Sequence, residues 1–155
     1  MRFHQSVTFL PFEDVVPIAQ ACEQSGYHGV YISDHLFNPK ERVSRYTYST
    51  AADGAPPYPP ETSWPDSMCV ISGLATVTSS ILFTTGVYLA PLRDLITVAK
   101  TVATAAALSD NRVRLGVGVG WLREEFEQTG QSFSDRGRRL DDMIPALRAL
   151  WSGGW

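Results

Sequence analysis

The sequence is poor in the residues and patterns that most specialised chemistry requires. It has two cysteines, Cys22 and Cys69, in 155 residues. That is too few for a disulfide framework or a cysteine-rich zinc site. Both fall in apolar helical surroundings and are expected as reduced, buried thiols rather than as a disulfide or a nucleophile. No CxxC, HExxH, GxSxG or GxxxxGKS/T pattern occurs, so metal ligation, serine-hydrolase chemistry and a classical phosphate loop have no support, and no metal is expected. No apolar run reaches about 18 residues, the length a membrane helix needs. Arg2 leads into a strand-like segment and not into a long apolar core, so no secretory leader is expected and the cytoplasm is the default compartment. Neither charge sign dominates. Thirteen Lys and Arg stand against 16 Asp and Glu, a net charge of -3, which gives no footprint for nucleic acid or an anionic membrane surface.

What is present is an ordinary globular composition, 44% hydrophobic and 19% charged, with material for one core. Strand-like and helix-like segments alternate. Phe3 to Phe9 reads as a first strand, with Phe3, Val7 and Phe9 on one side. Glu13 to Ser25 reads as a helix capped by Asp14 and ended by Gly26, with Val15, Val16, Ile18, Ala19 and Cys22 on its apolar face. His28 to Ser33 is a second strand, apolar enough for burial on both faces. Residues 36–66 then break the rhythm as a proline-rich loop insertion carrying Tyr46, Tyr48, Tyr58 and Trp64. A helix over Met68 to Ser79, capped by Asp66 or Ser67 and with Val77 inward, leads to a third strand, Ile81 to Leu89. A helix from Arg93 to Leu108 and a fourth strand from Arg112 to Val119 follow. Glu124 to Gln128 predicts a short helix. Ser134 then caps a last helix through Trp151, which Pro145 should kink.

The chain therefore reads as a single domain of α/β class, four βα units with parallel strands and right-handed crossovers. Two architectures fit, an open doubly wound sheet and part of a (β/α)8 TIM barrel. A complete barrel needs about 250 residues, so this chain would make at most a truncated half-barrel. A third reading, a small nucleotide-binding open sheet, lacks a phosphate loop. An open half-barrel is expected to expose two sheet edges and apolar inner residues, which favour association.

In either parallel architecture ligands gather beyond the carboxyl ends of the strands. Four segments should meet there: Phe9-Leu10-Pro11, Ser33-Asp34-His35, Tyr88-Leu89-Ala90 and Gly118-Val119-Gly120-Trp121. Asp34 and His35 are the most chemical pair, because an imidazole beside a carboxylate serves as acid, base or hydrogen-bond donor near neutral pH. A loop-capping Asp with a packed His is the structural alternative. Gly116-Val117-Gly118-Val119-Gly120 is not a dinucleotide fingerprint, since Trp121 stands where GxGxxG needs glycine. It is either a tight turn packed on a helix or a bare wall for a planar ring, with Trp121 covering the ring or filling the core. His4 and His28 are expected to be structural, and Arg136, Arg138 and Arg139 to form a solvated face.

These segments, in this order, resemble the bacterial luciferase-like monooxygenase superfamily. The likeness rests on Ser33-Asp34-His35, the run from Gly86 to Arg93, the run from Arg112 to Trp121, Glu124-Glu125-Phe126, Arg136-Gly137-Arg138-Arg139, and the run from Leu147 to Trp151. It covers nearly the whole chain and is closest to the branch that uses coenzyme F420. The resemblance implies a (β/α)8 barrel with a flavin or deazaflavin ring across the carboxyl ends of the strands, F420 as cofactor with FMN as the alternative, and a small-molecule substrate. It implies that Asp34 and His35 face the ring or substrate. Tyr88 and Leu89 would buttress the ring from a strand-three bulge, often with a non-proline cis peptide. Gly118, Val119, Gly120 and Trp121 would form the strand-four wall. Trp121 replaces a catalytic glutamate of a sugar-phosphate dehydrogenase branch, so that proton relay is not expected, and Asp94-Leu95 replaces a common His-Pro pair. Family members continue through four further units, where the cofactor's phosphate tail is held, whereas this sequence ends at Trp151-Ser152-Gly153-Gly154-Trp155. The expectations are then a natural truncation, a split reading frame or a fragment. Such a chain works as a homodimer or with a complementary C-terminal half, or else is a non-catalytic half-barrel.

Overall fold

Each strand is followed by a helix, and the first three such connections return the chain to the next parallel strand. The computed structural model describes residues 1–153; Gly154 and Trp155, part of the ending considered above, lie outside the described residues. The elements are β1 His4–Ser6, α1 Phe12–Gln24, β2 Gly29–Ile32, α2 Ser67–Ala75, β3 Leu82–Thr85, a 3-10 turn Ala90–Leu92, α3 Leu95–Leu108, β4 Val113–Arg114, α4 Arg123–Gln128 and α5 Arg136–Trp151. All strand pairs are parallel and the spatial order is β1-β2-β3-β4. A doubly wound sheet reverses its order at a switch point. This sheet does not, so its strands are consecutive barrel staves.

Residues alternate across the staves. Val7, Val30, Ile32 and Phe83 point outward and are packed with Ala19, Ile71, Leu74 and Val98 of the helices in one core. The opposite face carries an in-register row, Ser6, Tyr31, Thr84 and Arg114. That inner row is polar rather than apolar, contrary to the expectation for an open half-barrel.

Several boundaries differ from the sequence reading, each for a local reason. β1 stops at Ser6, and Phe9 turns into left-handed backbone at φ 67°, which leaves Phe3 and Phe9 exposed while Val7 is buried. α1 starts at Phe12, and Pro11 takes the cap position expected for Asp14. The Asp14 N–H already donates to the Pro11 carbonyl, so Asp14 sits inside the first turn. Gly26 ends this helix at φ 76°, as expected. Tyr31 leaves β2 buried mainly on its helix side.

α2 is capped by Asp66, whose Oδ1 accepts from the Met68 and Cys69 N–H groups at 2.9 Å each. It ends early because the Thr76 and Thr78 hydroxyls fold back onto the Gly73 and Leu74 carbonyls, and Val77 is consequently exposed. Cys22 is buried as expected, but Cys69 is exposed on the outer side of α2. Ser134 does not cap α5; its hydroxyl pairs with that of Ser132, and Asp135 takes the cap position without a side-chain bond. α5 runs through Pro145 without a break in its span and docks on α3, where the Trp151 indole donates to the Ala99 carbonyl at 3.0 Å.

Pairing between β3 and β4 stops after Thr84 and Arg114 and resumes as a single bridge between Tyr88 and Val117. Between the two stretches the Gly86–Val87 peptide is cis, within the expected strand-three bulge but before Tyr88.

Candidate active site

The carboxyl ends of the four strands open onto a cavity of about 890 Å3, within the range of about 300–1,000 Å3 usual for small-molecule sites. Strand two brings Ser33, Asp34 and His35 to it, strand three Gly86, Val87 and Leu89, and strand four Gly118, Val119, Gly120 and Trp121. His35 and Gly118, 83 positions apart in the sequence, therefore border one space. Tyr88 is the exception among the expected residues. Its side chain is 2% exposed and belongs to the helix-side core, while its neighbour Val87 lines the cavity. Burial first, then the nearby Asp34, Asp66 and Cys69, push the Tyr88 phenol up to about 12 against the Arg93 charge.

The glycines of this run have neighbours that leave no room for side chains. A Cβ on Gly116 would lie 2.3 Å from the Thr85 carbonyl oxygen, and one on Gly118 would lie 2.4 Å from Val87 Cγ2. Gly120, at φ 80°, lets the chain turn beneath Trp121. Of the two sequence readings for this run, the tight turn packed on a helix is present, at Phe126 of α4, and Gly118 and Gly120 also line the cavity.

The proline-rich loop is folded over the mouth. Its Tyr46, Tyr58 and Trp64 supply the aromatic side of the cavity. Trp64 meets the His35 ring edge-on at 4.5 Å, and Tyr46 meets Trp121 at 5.1 Å. Burial holds the Tyr58 phenol up at about 12.

Asp34 is adjacent to His35 in sequence but not its partner. The Asp34 carboxylate accepts two hydrogen bonds from the Arg93 guanidinium and one from the Leu89 N–H. The imidazole pairs instead with Glu125, whose Oε2 lies 2.8 Å from His35 Nδ1. The expected pairing of Asp34 with His35 is therefore not formed: the imidazole's carboxylate partner is Glu125 of α4, while Asp34 positions the strand-three bulge. Glu125 was visible in the sequence only as part of a family-like motif; its spacing of 90 residues from His35 carries no local signal. Glu124, next to it, accepts from the Val43 and Ser44 N–H groups and pins the loop to α4. Burial opposes ionisation of Glu124, but bonds from Ser44 and Val43 outweigh it and hold the carboxyl at about 2.

The basic cluster divides. Arg138 is solvated, pairing loosely with Asp135 at 3.4 Å. Arg136 instead donates to the Gly120 and Phe133 carbonyls and borders the cavity, and Arg139 donates to the Pro91 and Arg93 carbonyls. These two are half-buried struts, a correction to the solvated-face reading. Arg45 and Arg123 also line the rim, while Arg93 neutralises Asp34. His4 and His28 lie at the far, amino end of the strands, their rings edge-on at 5.3 Å.

Comparison with known proteins agrees with this geometry. A family model described as luciferase-like monooxygenase matches residues 2–154. An uncharacterised protein of Mycobacterium tuberculosis is 33% identical over 155 residues, all of this chain and 53% of that protein. An F420-dependent hydroxymycolic acid dehydrogenase of the same organism is 34% identical over 144 residues, 90% of this chain and 34% of that protein. Among solved structures, the oxygenating constituent of 3,6-diketocamphane monooxygenase from Pseudomonas putida, in complex with FMN, superposes with a TM-score of 0.73 at 14% identity, over 97% of this chain and 39% of that one. The chain spans about half the length of the first of these relatives. Its four parallel units are those of the TIM-barrel monooxygenase fold, and the chain belongs to the luciferase-like monooxygenase family.

Proposed function

We propose that this chain forms the ring-binding half of an oxidoreductase that uses a deazaflavin, coenzyme F420, to move hydride to or from a small-molecule substrate. The observation that carries the reading is the shared cavity of His35 and the bare Gly118 wall at the carboxyl ends of the strands. A planar tricyclic ring needs a wall without projecting side chains, and Gly118 and Gly120 line the cavity with none. When bound, the ring supplies hydride acceptance or donation. The protein's own part is to seat it. Val87 and Leu89 back the seat, Asp34 and Arg93 hold Leu89 in place, and His35, Tyr58 and Trp64 close the substrate side. Water exclusion by these aromatic rings strengthens polar contacts inside the site.

F420 is favoured over FMN by the 34% identical relative, whose name is F420-dependent; FMN with oxygen activation is the alternative. The remaining part of the ring site and the anchor for a phosphate tail come from a complementary C-terminal half or a second copy of this chain, docked on the open inner face with its Ser6, Tyr31, Thr84 and Arg114 row. No described helix is long and apolar enough to cross a membrane, and the cytoplasm is the compartment we assign.

Titration of F420, then FMN, followed by ring fluorescence and absorbance, tests the reading. It is run with the chain alone and with the C-terminal half of the Mycobacterium tuberculosis relative. Saturable binding that tightens with the added half, F420 ahead of FMN, is the expected result. No saturable binding of either ring in both settings, with gel filtration showing a sharp assembly, identifies a non-catalytic subunit instead.

A further inference from the structure

We infer that Glu125 is a positioning residue that fixes the tautomer of His35, so that an unprotonated Nε2 faces the guest. The inference takes from the proposed function that the cavity holds a substrate, but the tautomer itself does not depend on which cofactor binds.

Glu125 is fully buried, and its two oxygens do separate work. Oε1 accepts from the Leu36 N–H at 2.6 Å, and Oε2 lies 2.8 Å from His35 Nδ1. An ionised carboxylate can only accept, at either oxygen. The bond to the imidazole therefore runs from Nδ1–H to Oε2. In a neutral ring the other nitrogen is then bare, because which nitrogen carries the proton is set by the bond the other makes. Nε2 has no hydrogen-bond partner among the described residues and lies on the far side of the ring from Glu125. The ring cannot turn freely to exchange its nitrogens, since Trp64 meets it edge-on at 4.5 Å and Trp121 at 6.1 Å. The two sides of the imidazole are consequently distinct: Nδ1 is committed to the protein and Nε2 is an acceptor offered to the cavity.

The guest chemistry that fits is a hydrogen-bond donor, an O–H or N–H group held beside the ring. A guest presenting only acceptors, such as a bare carbonyl, would meet a lone pair there. Glu125 does not touch the guest in this arrangement and acts through His35.

The test is the nitrogen-15 spectrum of the His35 ring at alkaline pH, without cofactor, in the wild-type chain and in Glu125→Gln. The wild type should show Nδ1 in the protonated range and Nε2 in the unprotonated range. Glutamine leaves one acceptor oxygen for two donors. With that oxygen kept by the Leu36 N–H, its amide group donates to Nδ1 and the ring proton moves to Nε2, so the two resonances exchange character. A wild-type ring protonated on Nε2, or on both nitrogens, overturns the inference. So does a folded Glu125→Gln variant with the wild-type pattern. The wild-type spectrum alone decides the first point if the variant does not fold. A correct tautomer with no ring binding sinks the cofactor reading and leaves this inference intact; ring binding with the wrong tautomer does the reverse.

Discussion

Asp34 and Arg93 meet in a two-pronged ion pair, Nη1 to Oδ2 at 2.7 Å and Nη2 to Oδ1 at 2.8 Å, across 59 positions of sequence. The Asp34 side chain has no solvent exposure and the Arg93 side chain 10%. The guanidinium also lies 4.4 Å over the Tyr88 ring. The pair ties the end of strand two to the bulge after strand three, so it sets the shape of the cavity floor.

Removing one partner leaves a buried charge without compensation. Arg93→Met should lower unfolding free energy by about 3–5 kcal/mol. The double variant Asp34→Asn with Arg93→Met should lose clearly less than the sum of the single losses, since the two residues act as a unit. Urea denaturation of the three variants measures both.

The wall glycines should separate stability from binding. Gly116→Ala drives a methyl against the Thr85 carbonyl, a backbone atom that cannot give, and should cost about 1–3 kcal/mol of stability. Gly118→Ala drives a methyl against the Val87 side chain, at Cγ2 and Cβ, with Leu89 Cδ2 just beyond, and Val87 itself is exposed. With no backbone atom in the way it should cost less stability than Gly116→Ala, and it should displace Val87 into the cavity, weakening ring binding at least tenfold. Thermal melts and the ring titration check the two halves of this expectation.

The Arg136 and Arg139 struts should differ from their neighbour. Arg136→Ala and Arg139→Ala each remove two hydrogen bonds to carbonyls and should each cost about 1–2 kcal/mol. Arg138→Ala, at the solvated position, should stay within about 0.5 kcal/mol of the wild type.

Acid stability should carry the mark of Glu23. Burial opposes its charge, yet N–H bonds from Ser80, Ile81 and Ser79 and the Ser80 hydroxyl outweigh burial and hold the carboxyl at about 2, below its ordinary 4.5. A depressed folded-state value means the unfolded chain takes up the proton first as pH falls. The stabilisation is therefore complete above about pH 4.5 and is lost progressively toward pH 2. Glu23→Gln should flatten the stability-against-pH curve within that window and leave its shape above it unchanged.

The βα order and the rim were legible because they rest on local signals. Strand three announced itself by β-branched residues, Gly26 by its position after an apolar helix, and the four converging segments by the rule that ligands sit at strand carboxyl ends. What failed was long-range. Asp34 looked like the partner of His35 because it is adjacent, but on a strand end neighbouring side chains point to opposite faces, so Asp34 goes under the bulge to Arg93 while His35 goes to the cavity and Glu125. Tyr88 was misplaced by the same alternation, shifted by the bulge at Gly86 and Val87. Arg136 and Arg139 looked like a solvated cluster because nothing in the sequence shows which backbone carbonyls a folded loop leaves uncovered.

The central claim is that a planar redox ring lies against the Gly118 wall with His35 bordering the same space. A crystal structure of the chain, assembled with its complementary half and soaked with F420, tests it most directly. The expected result is ring density in van der Waals contact with Gly118 and Val87, between that wall and the His35 imidazole. Ring density elsewhere, such as the far rim by His4 and His28, with the Gly118 cavity filled by solvent, would contradict it.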